Sequence, residues 1–286
     1  MHIGKKLVAT VLGMIAAAKG GAVLAQDALK GLETIGKPWA DGIALQPAAT
    51  EIAVRTHRLD WMVLVIITLV TLLVVLLLLW VLVRYNQRAN KTAATFTHNS
   101  AIEVIWTLGP ILILIVIGAF SLPVLFFQME VPKADVTIKV TGNQWYWSYQ
   151  YTDDEFGFDS FLLARDELES HGYAPDEYLL ATDAPVVVPV NKNVVLQITG
   201  ADVIHSWTIP AFAVKLDAVP GRLQETWFNA DKEGVYFGQC SELCGKDHAY
   251  MPITVKVVSE AAYAEWLKAA KAEYAGQPAA VTVASN

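Results

Sequence analysis

The sequence WMVLVIITLVTLLVVLLLLWVLV, at residues 61–83, contains no charged side chain and is long enough to cross a bilayer as a helix. A second uncharged run occupies residues 104–129, with glycine or proline at four positions within it. A helix buried in a soluble core is the alternative for either run, but the length of each run matches the bilayer core. The sequence therefore predicts a transmembrane helical hairpin over residues 61–129.

The loop between the two runs predicts the orientation of the hairpin. It carries three basic residues, Arg84, Arg88 and Lys91, against a single acid, Glu103. Basic loops of membrane proteins stay in the cytoplasm. We therefore expect a multi-pass chain whose mature termini, and all residues after Glu130, lie on the extracytoplasmic side.

Residues 1–25 have the pattern of a secretory signal peptide. Two lysines precede an apolar stretch, and small residues at Val23 and Ala25 precede Gln26. This pattern predicts cleavage before Gln26, with an uncleaved amphipathic anchor as the alternative. Residues 26–60, rich in glycine, proline and alanine, would then form an extracytoplasmic N-terminal segment.

The part of the chain after the hairpin, residues 130–258, has a different pattern. Short β-branched runs are separated by proline, glycine, asparagine and aspartate, which is typical of an all-β sandwich or barrel. The runs lie at residues 135–140, 185–190, 193–199, 225–229 and 252–258. Residues 153–177 are polar and show no strand pattern, and residues 259–286 predict a short helix followed by an alanine-rich tail.

The charge after the hairpin is strongly negative. From Glu130 onward there are 22 acidic residues against 11 lysines and arginines, a net charge of −11. This balance argues against a nucleic-acid partner and favours a basic protein partner, with a merely solvated acidic surface as the alternative.

The loop QCSELCGKDHAYM, at residues 239–251, concentrates groups that bind soft metals. Its donors are Cys240, Cys244, His248 and Met251. Cys240 and Cys244 are the only cysteines of the chain. Another histidine, His205, lies 35 residues before Cys240 in a segment with a strand-like pattern. The residues thus allow several kinds of site, and the loop alone does not choose among them.

Three kinds of site are possible for these donors: a disulfide, a zinc site and a copper site. A disulfide is the default for two cysteines outside the cytoplasm. Structural zinc sites usually pair cysteines as C-x2-C and do not use a thioether. Thiolate, imidazole and a weak thioether on a β scaffold are typical of copper electron-transfer sites. Two cysteines in one loop also allow both sulfurs to bridge two copper ions.

The segments ADVIHSWTIPAFAVKLDAVPGR and GQCSELCGKDHAYMPI together resemble subunit II of the haem–copper cytochrome c oxidases. The resemblance extends from the first hydrophobic run to about Lys256. It implies a cupredoxin-like Greek-key β-barrel anchored by a two-helix transmembrane hairpin in the bacterial inner membrane, with the copper domain periplasmic. It also implies a dinuclear copper A centre that accepts electrons from cytochrome c and relays them to haem in subunit I, where oxygen is reduced to water with proton pumping.

The resemblance assigns the metal ligands as well. The implied copper ligands are His205, Cys240, Cys244, His248 and Met251, together with the backbone carbonyl of Glu242. The side chain of Glu242 would reach Mg²⁺ at the interface with subunit I; by residue type alone it is an ordinary loop acid.

The sequence GNQWYWSYQY, at residues 142–151, alternates aromatic residues. In a strand this spacing places Trp145, Trp147, Tyr149 and Tyr151 on one face, which from the residues alone favours an aromatic core stripe. The resemblance implies instead that electrons enter through Trp145. It further implies that nearby acids dock a lysine-rich cytochrome c, and these acids are Asp153, Asp154, Glu155, Asp159, Asp183 and Asp202.

Glu103 stands at the cytoplasmic start of the second run. An acid there commonly marks a helix N-terminus, where the helix dipole favours it. The resemblance implies that Glu103 lies at the entrance of a proton pathway into subunit I.

Other classes of protein share parts of this pattern. A copper chaperone or thiol redox protein for oxidase assembly has C-x3-C and a distant histidine, and it is the alternative function. Its fold, with one membrane span and alternating strands and helices, does not match this chain. A quinol oxidase subunit II lacks the copper ligands that this chain has. A nitrous-oxide reductase would have a further catalytic domain and would lack the transmembrane hairpin.

Overall fold

The computed structural model describes Leu29 and residues 31–274, which fall into two compact units. One unit is formed by residues 54–127, and the other by the chain on either side of them. The predicted signal peptide at residues 1–25 and most of the predicted tail lie outside the described residues.

The membrane unit contains two long helices, α1 at Glu51–Arg84 and α2 at Ser100–Met129. Both are long and apolar enough to cross a membrane, and their most apolar windows have no buried residues. Helix α1 begins well before the uncharged run because Thr50 caps it: the Thr50 hydroxyl accepts a hydrogen bond from the Ala53 N–H at 3.0 Å. The predicted segment 26–60 therefore includes the first turns of α1.

The second unit is built from β-strands in two sheets and a hairpin. The strands are β1 (Thr34–Gly36), β2 (Val136–Asn143), β3 (Tyr146–Tyr151), β4 (Phe156–Ser160), β5 (Val186–Pro189), β6 (Val194–Gly200), β7 (His205–Ile209), β8 (Val214–Ala218), β9 (Gln224–Phe228), β10 (Gly234–Gln239) and β11 (Pro252–Val258). The five-stranded sheet has the order β4-β3-β2-β6-β9, the four-stranded sheet has the order β1-β10-β11-β5, and β7 pairs with β8. The predicted fold class, a two-helix hairpin followed by a cupredoxin-like β domain, is confirmed.

One apolar core lies between the sheets. Along β2 the side chains of Val136, Ile138 and Val140 are buried, and along β11 those of Val255 and Val257 are buried in the same cluster. This is the alternation expected when each sheet turns one face to the other.

The polar stretch that the sequence left without strands contains β4. Phe156 and Phe158 turn inward from this short strand, and the acids around them had hidden the alternation. Residues 161–185 then cross the outer face of the four-stranded sheet. They form a second, small apolar cluster with Val235 and Phe237 of β10.

The described chain closes with helix α3 (Glu260–Glu273). The Ser259 hydroxyl caps it by accepting a hydrogen bond from the Ala262 N–H at 3.2 Å. Trp266 and Ala270 bury the inner face of the helix against the core.

Candidate metal centre

The loop that carries both cysteines joins two paired strands. Cys240 follows the last residue of β10 and Met251 precedes the first residue of β11, and these end residues, Gln239 and Pro252, are partners in the antiparallel ladder. The ladder therefore holds the two ends of the loop side by side. His205, the first residue of β7, comes from a different part of the chain.

Strand β7 is fastened to the loop by its backbone. The Ser241 N–H donates a hydrogen bond to the Ser206 carbonyl at 3.0 Å, which brings the start of β7 beside Cys240. At Gly142 of β2 an added Cβ would lie 2.9 Å from the His205 ring, so only glycine leaves room for the imidazole. The position of His205 thus depends on close packing of β7 against β2 and the ligand loop.

The predicted ligand atoms converge in one cluster, in which His248 is half-buried and the other ligand side chains are buried. The two sulfurs, Sγ of Cys240 and Sγ of Cys244, are 3.8 Å apart. Sγ of Cys240 lies 3.9 Å from Nδ1 of His205 and 3.3 Å from the Glu242 carbonyl oxygen. Sγ of Cys244 lies 3.5 Å from Nδ1 of His248 and 3.5 Å from Sδ of Met251. Each sulfur therefore has its own imidazole, on a site built around the sulfur pair.

The two cysteines are not joined by a disulfide. Both are free and buried, and their separation far exceeds the S–S bond length of about 2.05 Å. Donor atoms of His205, Cys240 and Cys244 all lie within 4.8 Å of one another, close enough to hold a metal ion.

The thiols of the pair differ in acidity. Burial alone would raise the pKa of Cys240, but contacts with His205 and with the backbone at Glu242 outweigh it and hold this pKa below the ordinary thiol value. Burial, together with the charge of Cys240, raises the pKa of Cys244. Two adjacent thiolates therefore need a cation between them, which is what a bound metal provides.

Asp202 supports the His205 ligand from behind. Its carboxylate accepts hydrogen bonds from His205 Nε2 at 2.8 Å, from the Gln144 N–H at 2.7 Å and from the Val203 N–H at 2.6 Å. These bonds lower the pKa of Asp202 although its partial burial acts the other way. Because Nε2 carries the proton shared with Asp202, Nδ1 is left to face the sulfurs as a metal ligand.

Trp145 does not share the strand face that its spacing predicted. It lies with Gln144 in the turn between β2 and β3, and only Trp147, Tyr149 and Tyr151 point from β3 into the core. The prediction was wrong for this residue because the chain turns before the alternation begins.

The turn nevertheless places Trp145 against the metal loop. The half-buried indole donates a hydrogen bond from Nε1 to the Cys244 carbonyl at 3.3 Å, and the Gln144 amide donates to the same oxygen at 2.8 Å. Nζ of Lys246 lies 4.9 Å from the centre of the indole ring. The contact is tight, since an added Cβ at Gly245 would lie 2.9 Å from the Trp145 ring.

Trp147 is also near the cluster, but it is completely buried. Its Nε1 donates to the Met251 carbonyl at 3.3 Å, and its ring lies edge-on to the His205 ring with 5.9 Å between centres. Trp145 and Trp147 thus contact opposite parts of the ligand loop, one near the surface and one in the core.

The predicted docking acids form two groups. Asp159 accepts a hydrogen bond from the Ser148 hydroxyl at 2.6 Å. Asp159 and Asp202 both lie close enough to Tyr146 for their charges to add to burial in raising its pKa. Asp183 accepts from the Phe161 N–H at 2.8 Å, and the Phe161 ring stacks on Tyr146 at 4.6 Å. Asp159 and Asp202 thus lie near Tyr146, the residue next to Trp145, and Asp183 is connected to it through Phe161.

The other three acids lie at the opposite end of β3, in the turn to β4. Asp153 accepts from the Thr137 N–H at 2.9 Å, Asp154 pairs with Lys271 of α3 at 2.5 Å, and Glu155 is exposed beside them. A six-residue strand spans about 20 Å, so this group is well removed from Trp145.

Two further predicted residues lie outside the cluster. The side chain of Glu242 is exposed on the ligand loop, although its carbonyl oxygen faces Cys240. Glu103 lies in the first turn of α2, in the membrane unit. The support of His205 by Asp202 was missed by sequence reasoning; the D-x-x-H spacing at residues 202–205 is the signal that could have indicated it.

Family models match most of the chain. The model described as "Cytochrome C oxidase subunit II, periplasmic domain" matches residues 136–258, and "Cytochrome C oxidase subunit II, transmembrane domain" matches residues 38–124. The two models therefore divide the chain as the hairpin and the β domain do.

Curated proteins that carry the family's name match most of the chain. Cytochrome c oxidase subunit 2 of Cereibacter sphaeroides is 54% identical over 278 residues, covering 92% of each chain. Probable cytochrome c oxidase subunit 2 of Rickettsia bellii is 42% identical, covering 80% of this chain and 84% of its own length. The periplasmic domain of subunit II of cytochrome oxidase of Bradyrhizobium japonicum is 55% identical, covering 51% of this chain and 99% of its own, with a TM-score of 0.47.

Proposed function

The chain belongs to the cytochrome c oxidase subunit II family, and from that premise we propose that it holds a dinuclear copper centre between Cys240 and Cys244 and receives electrons there from cytochrome c. It is a membrane-anchored subunit of an oxidase, whose other subunits are its partners. Its relatives do not favour the alternative function of a copper chaperone.

The observation that carries the proposal is the paired arrangement of donors. Each sulfur lies close to one imidazole, and the thioether of Met251 and the carbonyl of Glu242 lie on opposite sulfurs. Soft sulfur with imidazole is the donor set that copper prefers. Two copper ions bridged by the sulfurs would supply a one-electron site with its charge shared over both metals, for transfer to haem in subunit I.

The protein's own contribution is a rigid, largely buried setting for these donors. Cys240, Cys244, Met251 and His205 are buried, and the paired strands β10 and β11 hold the ends of the loop. Asp202 keeps His205 in one orientation through the Nε2 hydrogen bond. Ligands held in this way move little when the charge of the site changes, which favours fast electron transfer.

Electrons are proposed to enter through Trp145. An incoming protein can touch the half-buried indole of Trp145, whereas Trp147 is enclosed in the core. The hydrogen bond from Trp145 to the Cys244 carbonyl gives a short bonded connection to a ligand. Trp147 is assigned to packing beneath the site.

A lysine-rich cytochrome c is proposed to dock over Tyr146. Asp159 and Asp202 lie close to this ring, Asp183 binds the backbone of Phe161, and the exposed Phe161 ring stacks on Tyr146. Acids at such a rim chiefly accelerate association and make it sensitive to salt. We assign Asp153, Asp154 and Glu155, at the far end of β3, a smaller part in docking.

The remaining assignments rest on the family and on the sequence. The basic loop at residues 84–91 supports a cytoplasmic turn of the hairpin, with the β domain on the periplasmic side of the bacterial inner membrane. Glu103 is proposed to lie at the entrance of a proton pathway into subunit I. The exposed carboxylate of Glu242 is proposed to reach Mg²⁺ shared with that subunit.

The proposal is tested by counting copper in the purified oxidase and recording its electron paramagnetic resonance spectrum. Comparison of the wild type with a His205→Asn variant isolates the contribution of the centre. We expect two coppers in the wild-type chain, beyond those of the other subunits, and hyperfine structure from one electron shared over two nuclei. Zinc, a disulfide or a single-nucleus copper spectrum would reject the dinuclear centre.

A further inference from the structure

Lys256 is a buried lysine on the face of β11 opposite to the main core. Its neighbours Val255 and Val257 belong to that core, and strand alternation directs Lys256 the other way, toward the segment formed by residues 161–185. Only 7% of the residue is exposed. Strand β11 is paired on both sides, with β10 and β5, so the residue cannot move outward with its strand.

The described residues provide no hydrogen bond for the Lys256 ammonium. Nζ lies 4.8 Å from the centre of the Tyr173 ring, and Glu177 acts on it through charge alone. The carboxylate of Glu177 is otherwise engaged, since it accepts hydrogen bonds from the Thr34 hydroxyl and from the Ala174 N–H, both at 2.8 Å. Burial lowers the pKa of Lys256 to about 8, against the opposing charge of Glu177.

The Tyr173 hydroxyl is a second donor with no partner. Tyr173 is 6% exposed, and its oxygen makes no hydrogen bond to any described residue. Lys256 and Tyr173 both line a cavity of about 60 Å³, together with Leu29, Ser170, His171, Asp183 and Pro185. A buried donor without an acceptor is costly, and here two donors share one cavity.

We propose that this cavity binds one small monovalent oxyanion of the carboxylate class, held by the Lys256 ammonium and the Tyr173 hydroxyl. Such an ion offers acceptors to both donors and neutralises the buried positive charge. The volume admits only a few non-hydrogen atoms, because a single water needs roughly 10–15 Å³ of the same measure. Formate, acetate or hydrogen carbonate fit this size, whereas nucleotides and sugar phosphates do not.

The charges around the cavity limit the ligand to one negative charge. Asp183 is the acidic residue among those that line the cavity. Its Oδ1 already accepts hydrogen bonds from the Phe161 N–H at 2.8 Å and from the Ala184 N–H at 2.7 Å. Glu177 is partly neutralised by Lys37 at 3.7 Å. The repulsion from Asp183 makes binding weak and reversible. A bound ion would fasten residues 161–185 to β11, independently of the metal centre.

The test measures the reactivity of the Lys256 amine in the intact oxidase. The enzyme is labelled with trace acetic anhydride near pH 8, at constant ionic strength, in chloride or in increasing formate, and labelling is read by mass spectrometry. We expect formate to reduce labelling of Lys256 saturably, by about tenfold at ten times its dissociation constant. Labelling of Lys268, an exposed residue of α3, should not change.

Two variants distinguish a built site from general ion effects. Tyr173→Phe keeps the ring but removes the hydroxyl, so that more formate is needed for the same protection. Asp183→Asn keeps the oxygen that accepts from Phe161 and Ala184 but removes the charge, so that less formate is needed. Unchanged Lys256 labelling at about 100 mM formate, far above a millimolar dissociation constant, would mean that water alone fills the cavity. Equal protection in all three proteins would likewise overturn the site.

Discussion

Replacing Trp145 and Trp147 by phenylalanine, one at a time, separates the route of electrons from the stability of the core. Trp147→Phe leaves a smaller ring in a completely enclosed position and leaves the Met251 carbonyl without its donor. We expect it to lower the free energy of unfolding by about 2–3 kcal/mol, with the lost packing contributing more than the lost hydrogen bond. Trp145→Phe removes one hydrogen bond at a half-buried position and should cost about 0.5–1 kcal/mol.

The effect on electron transfer should have the opposite order. Trp145→Phe is expected to slow the reduction of the oxidase by cytochrome c at least tenfold, equivalent to about 1.4 kcal/mol of barrier. Trp147→Phe should leave this rate within about twofold, a barrier change below 0.5 kcal/mol.

The assays are stopped-flow mixing of reduced cytochrome c with the intact enzyme, and guanidinium unfolding followed by the remaining tryptophan emission. Copper content is measured first in both variants, so that loss of metal is not mistaken for loss of the route. Equal slowing by both substitutions, or greater slowing by Trp147→Phe, would refute the assignment of Trp145.

Four other substitutions, one of them a matched control, test the metal centre, the docking surface and the buried lysine. Cys244→Ser should reduce the copper bound by this chain from two ions to at most one, because the bridging pair is lost; retention of two ions by metal analysis would contradict the ligand assignment. Asp159→Asn should slow association with cytochrome c by about two- to fivefold at low ionic strength and much less at high salt. The matched variant Asp154→Asn, whose native carboxylate pairs with Lys271, should change this rate little, and the reverse order would reject docking over Tyr146. In formate-free buffer, Lys256→Met should be more stable than the wild type at pH 7, by up to about 3 kcal/mol before lost contacts are counted. The pKa of Lys256 is about 8 in the folded chain and 10.5 ordinarily, so the unfolded chain binds the proton more readily and the stability of the wild type rises from pH 8 to pH 10.5. The Lys256→Met variant should lack this rise when guanidinium titrations are repeated across that pH range. The same dependence of stability on pH in both proteins would count against a buried ammonium.

Two of the strands that sequence patterns missed, β1 and β4, are short. Strand β1 has three residues and is held by parallel pairing with β10, far along the chain. Strand β4 contributes only Phe156 and Phe158 to the core, and the acids before it obscured so brief an alternation. Long periodic runs are easier to recognise because each residue adds to the same signal.

The site residues also divide into those that the sequence pattern placed correctly and those that it did not. The aromatic alternation correctly placed Trp147, Tyr149 and Tyr151 on the buried face of β3, but it could not reveal that Trp145 lies in the preceding turn. The docking acids were predicted as one set because the family resemblance implies that acids near Trp145 dock cytochrome c. The direction of β3 then placed Asp153, Asp154 and Glu155 at the end of the strand away from Trp145, about 20 Å along it.

The sequence by itself determined the membrane hairpin and the chemistry of the ligand loop. An apolar run as long as the bilayer is wide can be recognised without knowledge of any tertiary contact. The close spacing of Cys240, Cys244, His248 and Met251 keeps their donor atoms within one loop. Only the tertiary structure brought Nδ1 of His205 to 3.9 Å from Sγ of Cys240, 35 residues along the chain. It also left Trp145, but not Trp147, accessible to a partner protein. These features depend on which strands lie side by side and which turn faces solvent. They arise from packing between distant segments, which local residue patterns do not record.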